Sequence, residues 1–192
     1  MFKNKVFLSL MLIAGLTVGA TASAQVYVAG TTGIAKWNSD CDKGGAKCDT
    51  STNAFKLTGG YNVDKNFALE ASYFSLGKLS ASATIANTTA SAEAKATGFE
   101  LAGVLKHQLA DGLDGFAKLG IARVTADTSA SLPNVFSMSA DTKSTQPVLG
   151  LGVTYALTKD IALRAEVESR RVKIGEEKNT VTGFSVGAQF HF

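Results

Sequence analysis

The chain has 192 residues, a length for one domain, with 45% hydrophobic residues, 18% charged residues and a formal net charge of +3. This balance excludes a disordered polyampholyte, and no charge asymmetry points to nucleic acid as a partner. Glycine is abundant at 19 residues and proline rare at 2, a composition suited to strands with kinks and close approaches.

In chain order the first element is a targeting segment. Lys3 and Lys5 supply a positive start, Val6 to Val18 an apolar run, and Ala22-Ser23-Ala24 a small-residue cleavage site. The run is short for a spanning helix, which needs about 20 apolar residues. Residues 1–24 are therefore expected to be a secretory signal peptide, and residues 25–192 the mature domain. No later segment is long and apolar enough to cross a membrane as a helix, so any membrane role falls to strands.

Cys41 and Cys48 are the only cysteines. An even count in an exported chain favours a disulfide closing a small loop. No histidine lies near them, so no metal site and no cofactor is expected.

Eight period-two stretches follow, at 25–37, 53–63, 67–76, 97–109, 115–125, 146–157, 161–173 and 181–192. Each reaches the roughly 9–11 residues that a tilted strand needs to cross a bilayer. Short connections at 64–66, 110–114 and 158–160 alternate with long ones at 38–52, 78–96, 126–145 and 174–180. Outer-membrane barrels have that rhythm, with short periplasmic turns and longer external loops. The pattern predicts an all-β fold, an eight-stranded antiparallel up-and-down transmembrane β-barrel. The segment 78–96 is almost free of large side chains and is expected to be mobile, or else to extend its strands as a hairpin beyond the membrane.

The two faces of the strands differ in kind. On the last strand Thr182, Phe184, Val186, Ala188, Phe190 and Phe192 share one face, and Gly183, Ser185, Gly187, Gln189 and His191 the other. The second set cannot form a hydrophobic core, so the aromatic face is assigned to lipid and the small polar face to the lumen. Phe55, Leu57, Tyr61 and Val63 oppose Lys56 and Thr58 in the same way; Leu163 and Val167 oppose Arg164, Glu166 and Glu168. Facing in the first strand is not decided. Arg123 falls on the lipid side with Leu119 and Ile121, which requires a level near the headgroups. The terminal aromatics, Phe190 and Phe192, resemble the signal read by the bacterial barrel-assembly machinery. The chain is expected to end with its barrel, with no soluble domain after it.

Counting from the tight turns places Glu70, Lys106, Lys118 and Arg164 inward and at similar depth. An eight-stranded barrel is just wide enough to be filled by side chains, so these ions are expected to pair across it. The expected pairs are Glu70 with Arg164, and Glu166 and Glu168 with Lys118 and Lys106. Such a cluster acts either as a plug or as a gate whose partners exchange; filling is the default at this size, which favours the plug.

These segments resemble a known family. Pro147 to Thr158 (PVLGLGVTYALT), followed by Ile161 to Glu166 (IALRAE), is similar to strands six and seven of the outer membrane protein A (OmpA)-like transmembrane barrels. Phe67-Ala68-Leu69-Glu70 and Lys118-Leu119-Gly120 resemble the third and fifth strands. The resemblance implies that Glu70 and Arg164 belong to a lumen salt-bridge gate. Val104 and Thr154 stand where the family's alternative partners would be, a departure that argues against partner exchange. The family's peptidoglycan-binding domain is not found in the sequence.

The functional expectation is an integral outer-membrane barrel with a structural or narrow-pore role and exposed loops. Its partners would be outer-membrane lipid and lipopolysaccharide, the assembly machinery and an extracellular ligand of the long loops. A loop-mediated adhesin is the alternative. A lipid A-modifying enzyme ranks third. Only His107 and His191 are present, and neither has a nucleophile or carboxylate partner at recognisable spacing, so no catalytic residue is assigned.

Overall fold

The computed structural model describes residues 25–38, 47–48, 51–85, 88–132, 136–174 and 177–192. They form β1 (Val26–Asn38), β2 (Lys47–Cys48), β3 (Ser51–Asn62), β4 (Phe67–Ile85), β5 (Thr88–Ala110), β6 (Leu113–Leu132), β7 (Phe136–Ala156), β8 (Ile161–Ile174) and β9 (Glu177–His191). All pairings are antiparallel. Each long strand pairs with the next, and β9 returns to β1 over Tyr27–His191 to Asn38–Thr180, closing the ring. Eight strands make the barrel, and closure leaves no edge through the ring. The two-residue β2 clips onto β4, with Lys47 opposite Ser82 and Cys48 opposite Ala81. The expected signal segment and Cys41 lie outside the described residues.

Local chemistry sets the tight turns. Asp64 Oδ1 accepts from the amides of Asn66 (2.7 Å) and Phe67 (2.8 Å), and Thr158 Oγ1 from those of Asp160 (3.3 Å) and Ile161 (3.1 Å). Both side chains stand in for a backbone turn. Between β5 and β6 the connection is shorter than the predicted 110–114. Ala110 pairs with Leu113 around Asp111-Gly112, and Gly112 takes φ of 74°, a conformation glycine adopts without steric cost.

Strands β4 to β7 are longer than their sequence signal. They run 19, 23, 20 and 21 residues, against 13, 12, 14 and 15 for β1, β3, β8 and β9. The ladder continues through most of 78–96 and 126–145, so the expected loops are largely hairpin extensions; at 78–96 this is the extended hairpin named as the alternative, paired out to Ile85–Thr88. Ladder bonds need no large side chains, which is why Ala, Ser and Thr suffice here. The extension of β4 begins at a bulge: register shifts between Ser75 and Lys78, and Gly77 takes φ of 73°. β7 and β8 part beyond Val148–Arg170, and Pro147, which has no amide hydrogen to give a neighbour, stands at the split.

The partition of side chains is inside out. Leu119 is 65% exposed and Phe99 68%, whereas Glu70 is 3% exposed and Lys118 2%. Apolar side chains on alternate positions of every barrel strand face outward, as a lipid-facing wall requires. In β1, Val26, Val28 and Ile34 face outward, whereas Tyr27, Ala29, Thr31, Ala35 and Trp37 are buried in the lumen.

Candidate functional site: a layered lumen

The lumen is stacked in three layers. Nearest the tight turns, Tyr27, Ala68, Val104 and Phe116 pack together. The rings find room because glycine stands opposite: a Cβ at Gly60 would collide with Tyr27, and one at Gly152 with Phe116. At the loop end Trp37, Phe74, Leu76, Val124, Val148, Val172 and Val181 join four alanines in an apolar septum. Trp37 Nε1 donates to Thr52 Oγ1 at 3.2 Å, and that hydroxyl donates to the Leu76 carbonyl at 2.5 Å, so the indole keeps its polar partner while buried. This septum corrects the expectation of a wholly small and polar lumen. Aromatic groups serve inside as well as outside wherever small neighbours leave space.

Between the apolar layers lie the ions. Among the described residues the buried ones are four cations, Lys56, Lys118, Arg164 and Arg170, and four carboxylates, Glu70, Glu100, Glu166 and Glu168. Arg164 Nη1 and Nη2 donate to Glu70 Oε1 and Oε2 at 2.7 and 3.1 Å. Nη2 also donates to Glu166 Oε2 at 3.1 Å, and Nη1 to Gln189 Oε1 at 3.0 Å. The Tyr27 hydroxyl donates to Glu70 Oε1 at 2.8 Å. Lys118 Nζ is the hub, 2.5 Å from Glu168, 3.2 Å from Glu70 and 3.4 Å from both Glu100 and Glu166. Lys56 Nζ donates to Glu168 at 2.6 Å and also pairs with Glu166. Arg170 pairs with Glu168 and lies 3.3 Å from Glu100. Glu100 is held by charge alone: its oxygens sit in ion-pair range of Lys118 and Arg170 but make no hydrogen bond. Two rings cap the stack, Phe116 at 4.4 Å from the Arg164 guanidinium carbon and Phe74 at 4.0 Å from that of Arg170.

Of the residues picked from sequence, the structure brings Glu70, Lys118, Arg164, Glu166 and Glu168 together. Lys106 stands apart. It is half-buried and donates to Asn62 Oδ1 at 2.6 Å, away from Glu166 and Glu168. The reason is register: Lys106 pairs with Phe116 and Val104 with Lys118, so Lys106 lies one inward position closer to the turn. Sequence reasoning missed Lys56, Glu100, Arg170 and Tyr27 as members of the cluster. The first three are charged residues on lumen faces, a signal that parity alone carries. Tyr27 had none, because facing in β1 was undecided.

Below the ions a cavity of about 140 Å³ is lined by Tyr27, Glu70, Lys106, Arg164, Gln189 and His191, among others. It reaches the Glu70–Arg164 pair from the tight-turn side. His191 sits there beside Gln189 at 2.9 Å, and His107 faces outward. Phe190 and Phe192 also face outward at this end, the Phe192 amide donating to the Val26 carbonyl at 3.0 Å. Among the described residues no cluster of His, Cys, Asp and Glu has the makings of a metal site.

A family model described as OmpA-like transmembrane domain matches residues 21–192. Outer membrane protein A of Shigella flexneri is 33% identical over 110 residues, 57% of this chain and 30% of the relative. That of Salmonella typhi is 30% identical over 139 residues, 70% of this chain and 38% of the relative. The chain thus spans well under half the length of these curated relatives. Among solved structures, Neisserial surface protein A superposes with a TM-score of 0.63 at 14% identity, covering 90% of this chain and all of that one. OprG from Pseudomonas aeruginosa gives 0.60 at 15%, covering 88% and 97%. Ail of Yersinia pestis, the attachment invasion locus protein, gives 0.55 at 15%, covering 89% and 100%. These three share the fold. The chain is an integral outer-membrane protein. It belongs to the family of OmpA-like transmembrane domains.

Proposed function

We propose that the chain is a closed, ion-locked barrel whose role is structural, with no catalytic activity. The observation that carries this reading is the apolar septum above the ion cluster. Exchange of partners among Glu70, Lys118, Arg164 and Glu166 rearranges the middle layer, but an ion must still cross the apolar layer of Trp37, Phe74, Leu76 and the valines. Planar-bilayer recording tests it. Wild type and Arg164→Ala are both expected to give no discrete current steps. Steps in the arginine variant alone would make the ion cluster the gate and overturn the plug.

A second reading has its own support. Strands β4 to β7 carry the barrel wall beyond the other four. Their outer side holds a groove lined by Lys78, Glu93, Lys95, Asp127, Asp141 and Lys143, with Lys78 2.7 Å from Glu93. Loops on a rigid scaffold commonly carry binding, and Ail, of like fold, is an attachment invasion locus protein solved also with a heparin analogue. An adhesin acting through this wall loses binding to host cells when 79–92 is deleted; unchanged adhesion removes the reading. To the same proposal belong cleavage after residue 24, a Cys41–Cys48 disulfide, and recognition of Phe190 and Phe192 by the barrel-assembly machinery.

A further inference from the structure

We infer that the free edge of β7 between Ser139 and Lys143 takes up an extended segment of another polypeptide as an added antiparallel strand, one that sets a base opposite Asp141 and an acid opposite Lys143. The site is the edge of the extended wall and not the groove on its face, so its failure would leave the adhesin reading standing.

The first observation is an unpaired row of backbone groups. β7 stays paired with β6 without a break from Tyr155 to Phe136, whereas its pairing with β8 ends at Val148–Arg170. Pro147 explains the end. Near the tight turns the Ala156 amide donates to Gly112 on the β6 side, and the Leu157 amide to Ile161 on the β8 side. Ladder bonds alternate in direction along a strand, so even-numbered residues of β7 bond to β6 and odd-numbered ones point towards β8. Pro147 is odd, so the donor it lacks is one that would serve β8. Above it the amides and carbonyls of Ser139, Asp141 and Lys143 face the open side. The Ala140 carbonyl, by contrast, accepts from Thr128 Oγ1 on β6 at 3.0 Å. Continuing the β7–β8 register would set Ile174 level with Ser144, and there β8 already gives way to β9. From Lys143 upward no strand among the described residues stands beside this edge.

The edge also lies clear of hydrocarbon. Outward residues of β7 change from Leu151 and Leu149 to Lys143 and Asp141 across Pro147. Asp141 is six residues beyond that proline, which is about 20 Å along the strand and roughly 15 Å in height at a tilt of about 40°.

The second observation is charge. Asp141 and Lys143 are both exposed on the outer side, their carboxylate and ammonium 3.8 Å apart. Across the ladder Asp141 faces Asp127 and Lys143 faces Thr125, so β6 offers neither an opposite charge. Like charges directly opposite are unfavourable, and a base on the open side of Asp141 relieves the pair. Charged residues ordinarily guard an edge against pairing. These two have opposite signs, so they select a strand that reads acid, any residue, base. The chain's own Asp141-Thr142-Lys143 has that order, which makes its residues 138–146 a ready probe. Two copies in one membrane cannot pair this way, because antiparallel addition at this edge turns one of them upside down.

Fluorescence anisotropy of a labelled peptide copying residues 138–146, titrated with the detergent-folded barrel, tests the site. Saturable binding of one peptide per barrel is expected. Methylating the peptide's amide nitrogens at 141 and 143, which face β7 in the added strand, should weaken binding by about tenfold or more, the loss expected from two backbone hydrogen bonds. Methylating those at 140 and 142, on its far edge, should leave it within about threefold, since they bond only to water. Asp141→Lys in the barrel should weaken the unmodified peptide by about fivefold, and a peptide carrying Lys143→Asp should restore binding to that variant while binding the wild type poorly. Heat-modifiable mobility verifies that the variant is folded. Absence of saturable binding, or failure of the charge exchange to restore it, would overturn the assignment. Equal binding of the two methylated peptides would overturn it too, by placing the peptide in the groove on the face.

Discussion

Arg164 on β8 and Glu70 on β4 meet across the lumen through two parallel hydrogen bonds of 2.7 and 3.1 Å, with the Tyr27 hydroxyl donating to the same carboxylate. Removing either partner takes away the bidentate contact and leaves the other buried with one remaining counter-ion, Glu70 with Lys118 at 3.2 Å or Arg164 with Glu166 at 3.1 Å. Glu70→Gln or Arg164→Ala is therefore expected to cost about 3–5 kcal/mol, and the double variant less than the sum of the two. Urea unfolding of the barrel in lipid vesicles measures this. Midpoints at the wild-type value would show that the pair contributes nothing.

Lys56 and Lys106 make a sharper comparison, since both are inward-facing lysines on neighbouring parts of the wall. Lys56 reaches two carboxylates, whereas Lys106 meets an amide oxygen at the rim. Lys56→Met should cost about 3–5 kcal/mol by taking one buried cation from between Glu166 and Glu168, and Lys106→Met about 1 kcal/mol through one lost hydrogen bond. The same unfolding assay reads both, and equal losses would mean that the cluster extends to the rim.

The contrast between these lysines also marks what the sequence can convey. Parity is local, so the inward face of β8, with Arg164, Glu166 and Glu168, is legible from alternation, and so is the outward face of Phe184, Val186 and Phe190. Depth is not local. It depends on the stagger between strands, which moved Lys118 up beside Glu100 and left Lys106 below. Strand length is also weakly written: the Ala, Ser and Thr stretches after Gly77 and Thr125 lack the apolar alternation that marks the membrane part, yet the ladder runs through them. Facing in β1 was ambiguous because Tyr27 and Trp37 point inward while Lys36 is exposed on the outward side.

The septum should be both a structural core and the seal. Trp37→Ala and Phe74→Ala are each expected to cost about 3–5 kcal/mol, the range for large aromatic truncations. Conductance should appear when both are combined with Arg164→Ala, and not in any of the three alone. Single-channel recording decides it; a silent triple variant would mean that the ions alone suffice to block passage.

Charge on the outer wall should be priced by depth. Leu119→Lys places an ammonium well inside the apolar band and should cost about 2–4 kcal/mol, whereas the native Arg123 near the rim costs about 0–1 kcal/mol, so Arg123→Leu should change stability little. Chemical unfolding in bilayers of one lipid composition separates the two, and equal effects would contradict the assigned levels.

The buried ions have a consequence for the order of assembly. Each hairpin joined by a tight turn carries balanced charge among its fully buried ions: Lys56 with Glu70 in β3–β4, Glu100 with Lys118 in β5–β6, and two arginines with two glutamates on β8 of β7–β8. Yet the Glu70 of one hairpin is gripped by the Arg164 of another, and Lys56 by Glu166 and Glu168. The β3–β4 hairpin entering hydrocarbon alone would be neutral in sum and still carry two unmatched ions, Lys56 and Glu70, a state that costs several kcal/mol per ion. Lys56 and Glu70 gain their counterparts only once β3–β4 stands in one ring with β6 and β8, so burial of that hairpin's lumen face in the bilayer is coupled to assembly of the ring.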